Sequence, residues 1–244
     1  MSEQPNDYSK SWNETYGVTK DPVRNYMIFP LFAERVGRFR HEFIADLGCG
    51  NGSMIRNLAH LDFGSCLGLD RNRAFLDSAE KYVNDSRVTF VEEDLSDMKS
   101  VLTGSIDVAL SVFVINELPD LGGFFRNVSR ILTPLGRVFL VCTHPFVPLI
   151  AQKQADWGVK DNNKVTGLAG YFLSSKGRYH FTISKDYADY YHYNFQHITT
   201  AICSADLSIR YMQELTSDDP RFEEYQEYWT TRDLPKYLYL EISR

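Results

Sequence analysis

The segment FIADLGCGNGSMIRNLA, Phe43 to Ala59, constrains this chain more than any other stretch of it. An apolar run is followed by three glycines at alternate positions and then by apolar residues at helical spacing, so it reads as a strand, a tight turn and a helix in immediate succession. Gly48, Gly50 and Gly52 permit the sharp turn and let the backbone pass close to a ligand, because no side chain obstructs it or forbids the dihedrals. Asp46, at the end of the strand, stands where a carboxylate can hold a cationic amino group.

The pattern repeats downstream. Short apolar runs at Ser65–Leu69, Arg87–Val91, Ile106–Ser111 and Gly136–Cys142 alternate with amphipathic stretches at Ser53–Leu61, Asn72–Val83 and Gly122–Leu132. This is the signature of a parallel sheet with crossover helices. Beyond it, a helix is expected over Asn194–Ser204, then strands Ser208–Leu215 and Lys236–Ile242, which can pair as an antiparallel edge. The expected fold is α/β: a doubly wound, seven-stranded, mostly parallel sheet with an aromatic-rich lid insertion. With 244 residues one domain is expected. Its parts are an N-terminal arm and helix over 1–40 covering the cofactor, a binding core over 41–143, a lid and acceptor-site insertion over 144–190, and a closing helix and strands over 191–244. Asp21-Pro22 reads as a helix start that Pro30 splits, and the Pro-, Gly- and aromatic-rich run from His144 to about Tyr190 reads poorly as regular structure.

Twenty-two residues after Gly48, the run CLGLD ends in Asp70, placed to accept hydrogen bonds from both hydroxyls of a ribose, with Arg71 beside it. VEEDL brings Asp94 to the end of the third strand for an adenine amino group, with Leu95 against the ring. Two nucleoside ligands compete: a dinucleotide, whose pyrophosphate seeks a helix N-terminus, and S-adenosylmethionine (SAM), which has no phosphate but carries an amino acid. An acid just before the glycines favours SAM.

With Asp46, Gly48, Gly50 and Gly52 as D-x-G-x-G-x-G, Asp70 as ribose acid and Asp94 as adenine acid, the chain resembles the class I SAM-dependent methyltransferases of the small-molecule group. The resemblance covers about Asp21 to Cys142. It implies a cofactor site that also includes Tyr16, Arg24, Cys49, Ser111 and Val112, and SAM as methyl donor with S-adenosylhomocysteine as product. SVFVINELPDL, Ser111 to Leu121, is similar to the stretch after the fourth strand, where family members often have two histidines; Asn116 and Glu117 stand there instead, as substrate-binding candidates. THPF at Thr143 to Phe146 and the run around His192 are similar to a histidine-bearing acceptor region in a subset of the family, which makes His144 and His192 the substrate-binding and general-base candidates. There Ala205-Asp206-Leu207 departs from an A-G-F turn at the usual glycine.

A formal charge of -6 and no cluster of Lys and Arg argue against a nucleic-acid partner. Apolar runs too short to span a bilayer and a polar start argue against a membrane partner, and a cytoplasmic location is expected. The four scattered cysteines suggest neither a zinc site nor a disulfide framework, and no metal is expected. The expected reaction is methylation of an O or N atom of a small-molecule metabolite. Its rivals are methylation of a protein, and a non-catalytic SAM-binding partner or regulatory subunit. A dinucleotide oxidoreductase is weakened because no second nucleotide half is apparent. The sequence leaves the oligomeric state open.

Overall fold

The computed structural model describes residues 9–15, 17, 20–38, 41–147, 175–180, 187–229 and 232–244. Five parallel strands, β1 (His41–Leu47), β2 (Phe63–Asp70), β3 (Val88–Glu92), β4 (Ile106–Val112) and β5 (Leu132–Thr143), are joined by two later ones, β8 (Ser208–Leu215) and β9 (Tyr237–Ser243), in the order β3-β2-β1-β4-β5-β9-β8. β9 runs antiparallel to β5 and β8 antiparallel to β9, so the pair expected at the edge closes the sheet with β9 inside. The chain reverses its winding between β1 and β4, the crevice where ligands of such sheets bind.

Alternate residues of the central strands feed two apolar layers. Ala45, Leu47, Ala109, Val138 and Leu140 pack with α5 (Leu121–Ile131) and α6 (Phe195–Cys203), while Ile44, Val108, Leu110, Phe139 and Val141 pack with α2 (Phe29–Val36) and α3 (Ser53–Leu58). Helix α5 shows why its sequence folds this way. Leu121, Phe124, Phe125, Val128 and Ile131 form one buried stripe, and the Asp120 carboxylate accepts the Gly123 N–H at 2.8 Å as N-cap. Each large side chain fully buried there contributes about 1.5–3 kcal/mol. In α4 (Arg73–Tyr82), Asn72 caps the N-terminus by accepting from Ala74 and Phe75.

Three differences from the sequence reading matter. Ser9–Thr15 forms a short helix, α1, where only an arm was expected. The split at Pro30 is a π-helical stretch, Arg24–Ile28, running into α2, with the proline in its first turn where its missing N–H costs nothing. The segment read as irregular contains a two-stranded antiparallel hairpin, β6 (Ser175–His180) with β7 (Tyr187–His192), in a sheet of its own. Among the described residues no helix is long and apolar enough to cross a membrane.

Candidate functional site

The glycine turn between β1 and α3 is held by its own backbone. The Gly48 and Cys49 N–H groups both donate to the Leu69 carbonyl, at 2.8 and 2.9 Å, the Gly50 N–H to Asp70 Oδ2 at 2.9 Å, and the Gly52 N–H to the Cys49 carbonyl at 3.0 Å. These four donors are therefore turned inward, toward protein acceptors, and not toward a ligand. All three glycines have positive φ, but they differ in what surrounds them. A Cβ on Gly48 would lie 2.4 Å from Val114 Cγ2, and one on Gly52 2.9 Å from Val83 Cγ2; a Cβ on Gly50 would meet nothing within 4 Å. Gly50 thus fronts open space at the crevice.

Asp46 is 2% exposed, and its Oδ2 has no hydrogen-bond partner among the described residues. Burial, reinforced by the neighbouring Asp70 and opposed by Arg24, pushes its carboxyl up to about 7. A ligand cation would keep it ionised. Asp70 is also raised by burial, although the Asn72 and Gly50 N–H groups hold it down. These two bonds leave lone pairs on both oxygens for a further donor. Arg71 is exposed and its charge acts on both Asp70 and Asp94. Asp94 is exposed and held below the usual range, chiefly by the Ser96 N–H it accepts at 2.8 Å, and Leu95 beside it is buried.

The N-terminal arm reaches this crevice. Asp21 caps its helix by accepting the Val23 and Arg24 N–H groups at 2.9 and 3.1 Å, and its other oxygen pairs with the Arg24 guanidinium. That guanidinium lies 5.0 Å from the Trp12 ring centroid and 5.2 Å from the Phe113 centroid, between an arm residue and the turn after β4. Asn51 Nδ2 donates to Asn13 Oδ1 at 3.0 Å and to the Gly17 carbonyl at 2.9 Å, and Asn13 donates onward to Ser78 on α4 at 2.9 Å. Asn51 and Asn13 escaped the sequence reading; the signal was a polar residue between two glycines of the turn. Tyr16 falls outside the described residues.

Cys49 is buried with its thiol pushed up by burial, and its Sγ meets the Gly50 carbonyl at 3.7 Å. Ser111 is fully buried with an Oγ that has no hydrogen-bond partner among the described residues, and Val112 is half-buried. Asn116 is 5% exposed; its Oδ1 accepts the Thr143 N–H at 3.1 Å and its Nδ2 donates to the Tyr191 carbonyl at 3.2 Å. Glu117 is half-buried in a single 3-10 turn, Ile115–Glu117. The two histidines differ. His144 accepts the Phe146 N–H at Nδ1 (3.2 Å) and meets Glu214 Oε1 through Nε2 (2.9 Å), so the neutral ring has its proton on Nε2. Burial holds it below the ordinary histidine range. His192 ends β7, 2% exposed, next to the carbonyl that Asn116 grips. Among the described residues no group of three His, Cys, Asp or Glu is arranged to hold a metal ion.

Residues 45–140 match a family model described as a methyltransferase domain. Over that span the core of the chain is similar to a methyltransferase domain. The matched span contains the glycine turn, Asp70, Asp94 and the turn after β4. The chain is 27% identical over 131 residues to a ubiquinone biosynthesis O-methyltransferase of Escherichia coli O127:H6, covering 52% of this chain and 54% of that protein. It is 27% identical over 97 residues to the sterol 24-C-methyltransferase erg6 of Aspergillus fumigatus, covering 38% of this chain and 26% of that protein. The chain thus spans about half, or less, of the length of these curated relatives. Its fold is similar to that of a putative S-adenosylmethionine dependent methyltransferase from Listeria monocytogenes, with a TM-score of 0.70 at 19% identity over 84% of this chain and 90% of that one.

Proposed function

We propose that this chain transfers the methyl group of SAM to an oxygen or nitrogen atom of a small metabolite. The observation that carries the reading is Asp46, a sealed carboxylate with an orphan oxygen, set immediately before a glycine turn that opens onto free space at Gly50. Such an oxygen suits an ammonium group. The inward-turned N–H groups of Gly48, Cys49, Gly50 and Gly52 deny a pyrophosphate the donors it needs, which weighs against a dinucleotide.

The residues fit the cofactor. Asp46 would hold the amino group, Arg24 the carboxylate through N–H groups that Asp21 does not use, Asp70 the ribose hydroxyls, and Asp94 with Leu95 the adenine. SAM supplies a methyl group on a sulfonium that is already activated, so the protein's task is to align donor and acceptor and to exclude water. Trp12, Arg24 and Phe113 form the wall on the arm side. Of the two histidines, His192 is the one proposed to meet the acceptor, taking the proton of an O–H or N–H group, because it ends β7 beside the carbonyl by which Asn116 joins that strand to the turn after β4. Relatives whose names specify ubiquinone biosynthesis and a sterol favour a small acceptor.

Calorimetry should find that the protein binds S-adenosylhomocysteine and not NAD. Asp70→Ala should weaken that binding about tenfold or more, since a hydrogen bond to a charged group contributes roughly 1.5–3 kcal/mol. With SAM labelled in its methyl group and a metabolite extract, label should enter the small-molecule fraction and fail to do so in His192→Ala, whose S-adenosylhomocysteine affinity is kept. Label entering protein instead, or an affinity indifferent to Asp70→Ala, would overturn the reading.

A further inference from the structure

The turn that follows β4 touches both halves of the site. Phe113 sits at φ +63°, a left-handed conformation unusual for an aromatic residue, and donates its N–H to the Val141 carbonyl at 2.8 Å. On one side Val114 presses against Gly48 so closely that no Cβ fits there. On the other side Asn116 grips the end of β7 through the Tyr191 carbonyl, and the Tyr193 hydroxyl donates to the Leu118 carbonyl at 2.6 Å. The same asparagine accepts from Thr143 at the end of β5. Asn116 gives to one backbone through Nδ2 and takes from another through Oδ1, the donor and acceptor that a neutral amide carries on one carbon.

We infer that Asn116 is a positioning residue of the acceptor side: it seats β7, and with it His192, at a set distance from the glycine turn, the rigid segment from Val112 to Leu118 serving as spacer. The inference rests on the methyl-transfer reading above. Asn116 acts through the Tyr191 backbone and the β5 end, so its effect falls on acceptor geometry and turnover and leaves the cofactor's hold on Asp46 and Asp70 intact.

Asn116→Asp tests this because it preserves shape and the acceptor for Thr143 but sets a carboxylate oxygen against the Tyr191 carbonyl. Hydrogen exchange at residues 187–192 should speed up about tenfold or more, while exchange at 48–52 and at Thr143 stays as in the wild type. S-adenosylhomocysteine affinity should remain within about twofold, and in the labelled assay the acceptor KM should rise and kcat fall. Tyr193→Phe, which introduces no charge, should speed exchange at the same strand, and it decides the matter if Asn116→Asp does not fold. Unchanged exchange at 187–192 in both variants overturns the inference, as does a loss of S-adenosylhomocysteine affinity as large as that of Asp70→Ala. A wild-type protein that binds no S-adenosylhomocysteine overturns the methyl-transfer reading instead, and the exchange result still judges the seat.

Discussion

Asp46 couples the stability of the fold to pH. In the unfolded chain it titrates as an ordinary aspartate, whereas in the folded protein burial raises it to about 7, so between those values the folded state binds the extra proton. Stability contributed by this residue is therefore greatest at low pH and is lost as pH rises toward 7, on the order of 4 kcal/mol over the whole window. Asp46→Asn removes that slope. The variant should melt at a higher temperature than the wild type at pH 8 and by a clearly smaller margin at pH 5, where only about a third of the window has been crossed, and should bind S-adenosylhomocysteine more weakly, because a neutral amide does not hold an ammonium group. Melting curves at the two pH values, with calorimetry at pH 8, check this; a wild-type melting temperature that climbs relative to Asp46→Asn from pH 5 to pH 8 would contradict it.

At the scale of elements, the turn after α6 shows what one residue costs a cap. Ala205-Asp206-Leu207 lacks the glycine that the resemblance implies at this turn, and in the structure Asp206 takes φ +56° while the Leu207 N–H reaches back to the Ile202 carbonyl at 3.3 Å. Aspartate tolerates the left-handed region, but less well than glycine. Asp206→Gly should accordingly stabilise the fold by about 0.5–1 kcal/mol, read as an upward shift in denaturation midpoint with an unchanged slope. A lowered midpoint would mean that the carboxylate contributes more than the strain removes. The strands from β1 to β5 were legible because buried parallel strands are continuous apolar runs and their crossover helices carry a period near 3.6, as with Phe75, Leu76 and Ala79. Hairpin β6–β7 was not, because in SKGRYH and YADYYH glycine and aromatic residues blur the alternation that marks a strand. The site divides likewise. Asp46, Asp70 and the glycines stand at fixed offsets from strand ends, whereas Asn13 and Asn51 meet 38 residues apart, and Asn116 and Tyr191 75 apart, through folds of the chain that no local spacing records.

Across the whole molecule, and among the described residues, hydrogen bonds tie α1 directly to the glycine turn: Asn13 joins it to Asn51 on that turn and to Ser78 on α4, with Trp12 on the same helix beside Arg24. Asn51 is 4% exposed, and its amide is shared between Asn13 and the Gly17 carbonyl, so a single side chain holds the arm at two points. A ligand that fills the space before Gly50 and engages Arg24 would add contacts to the same arm, and a closed arm would in turn slow the ligand's escape; the two effects are one coupling free energy read from either end. Asn51→Ala removes the protein's share of it. Without ligand, exchange at residues 9–15 should accelerate about tenfold, the loss of hydrogen bonds contributing roughly 1 kcal/mol each, while exchange in β1, β4 and β5 stays at the wild-type rate. With saturating S-adenosylhomocysteine the arm should regain part of its protection, and the dissociation rate should exceed that of the wild type with little change in the association rate. Stopped-flow dissociation and exchange mass spectrometry together test the coupling. If Asn51→Ala loosens the arm but leaves the dissociation rate where it was, the arm packs on the turn without covering the cofactor, and the wall at Trp12 and Arg24 must be assigned to the protein's packing alone.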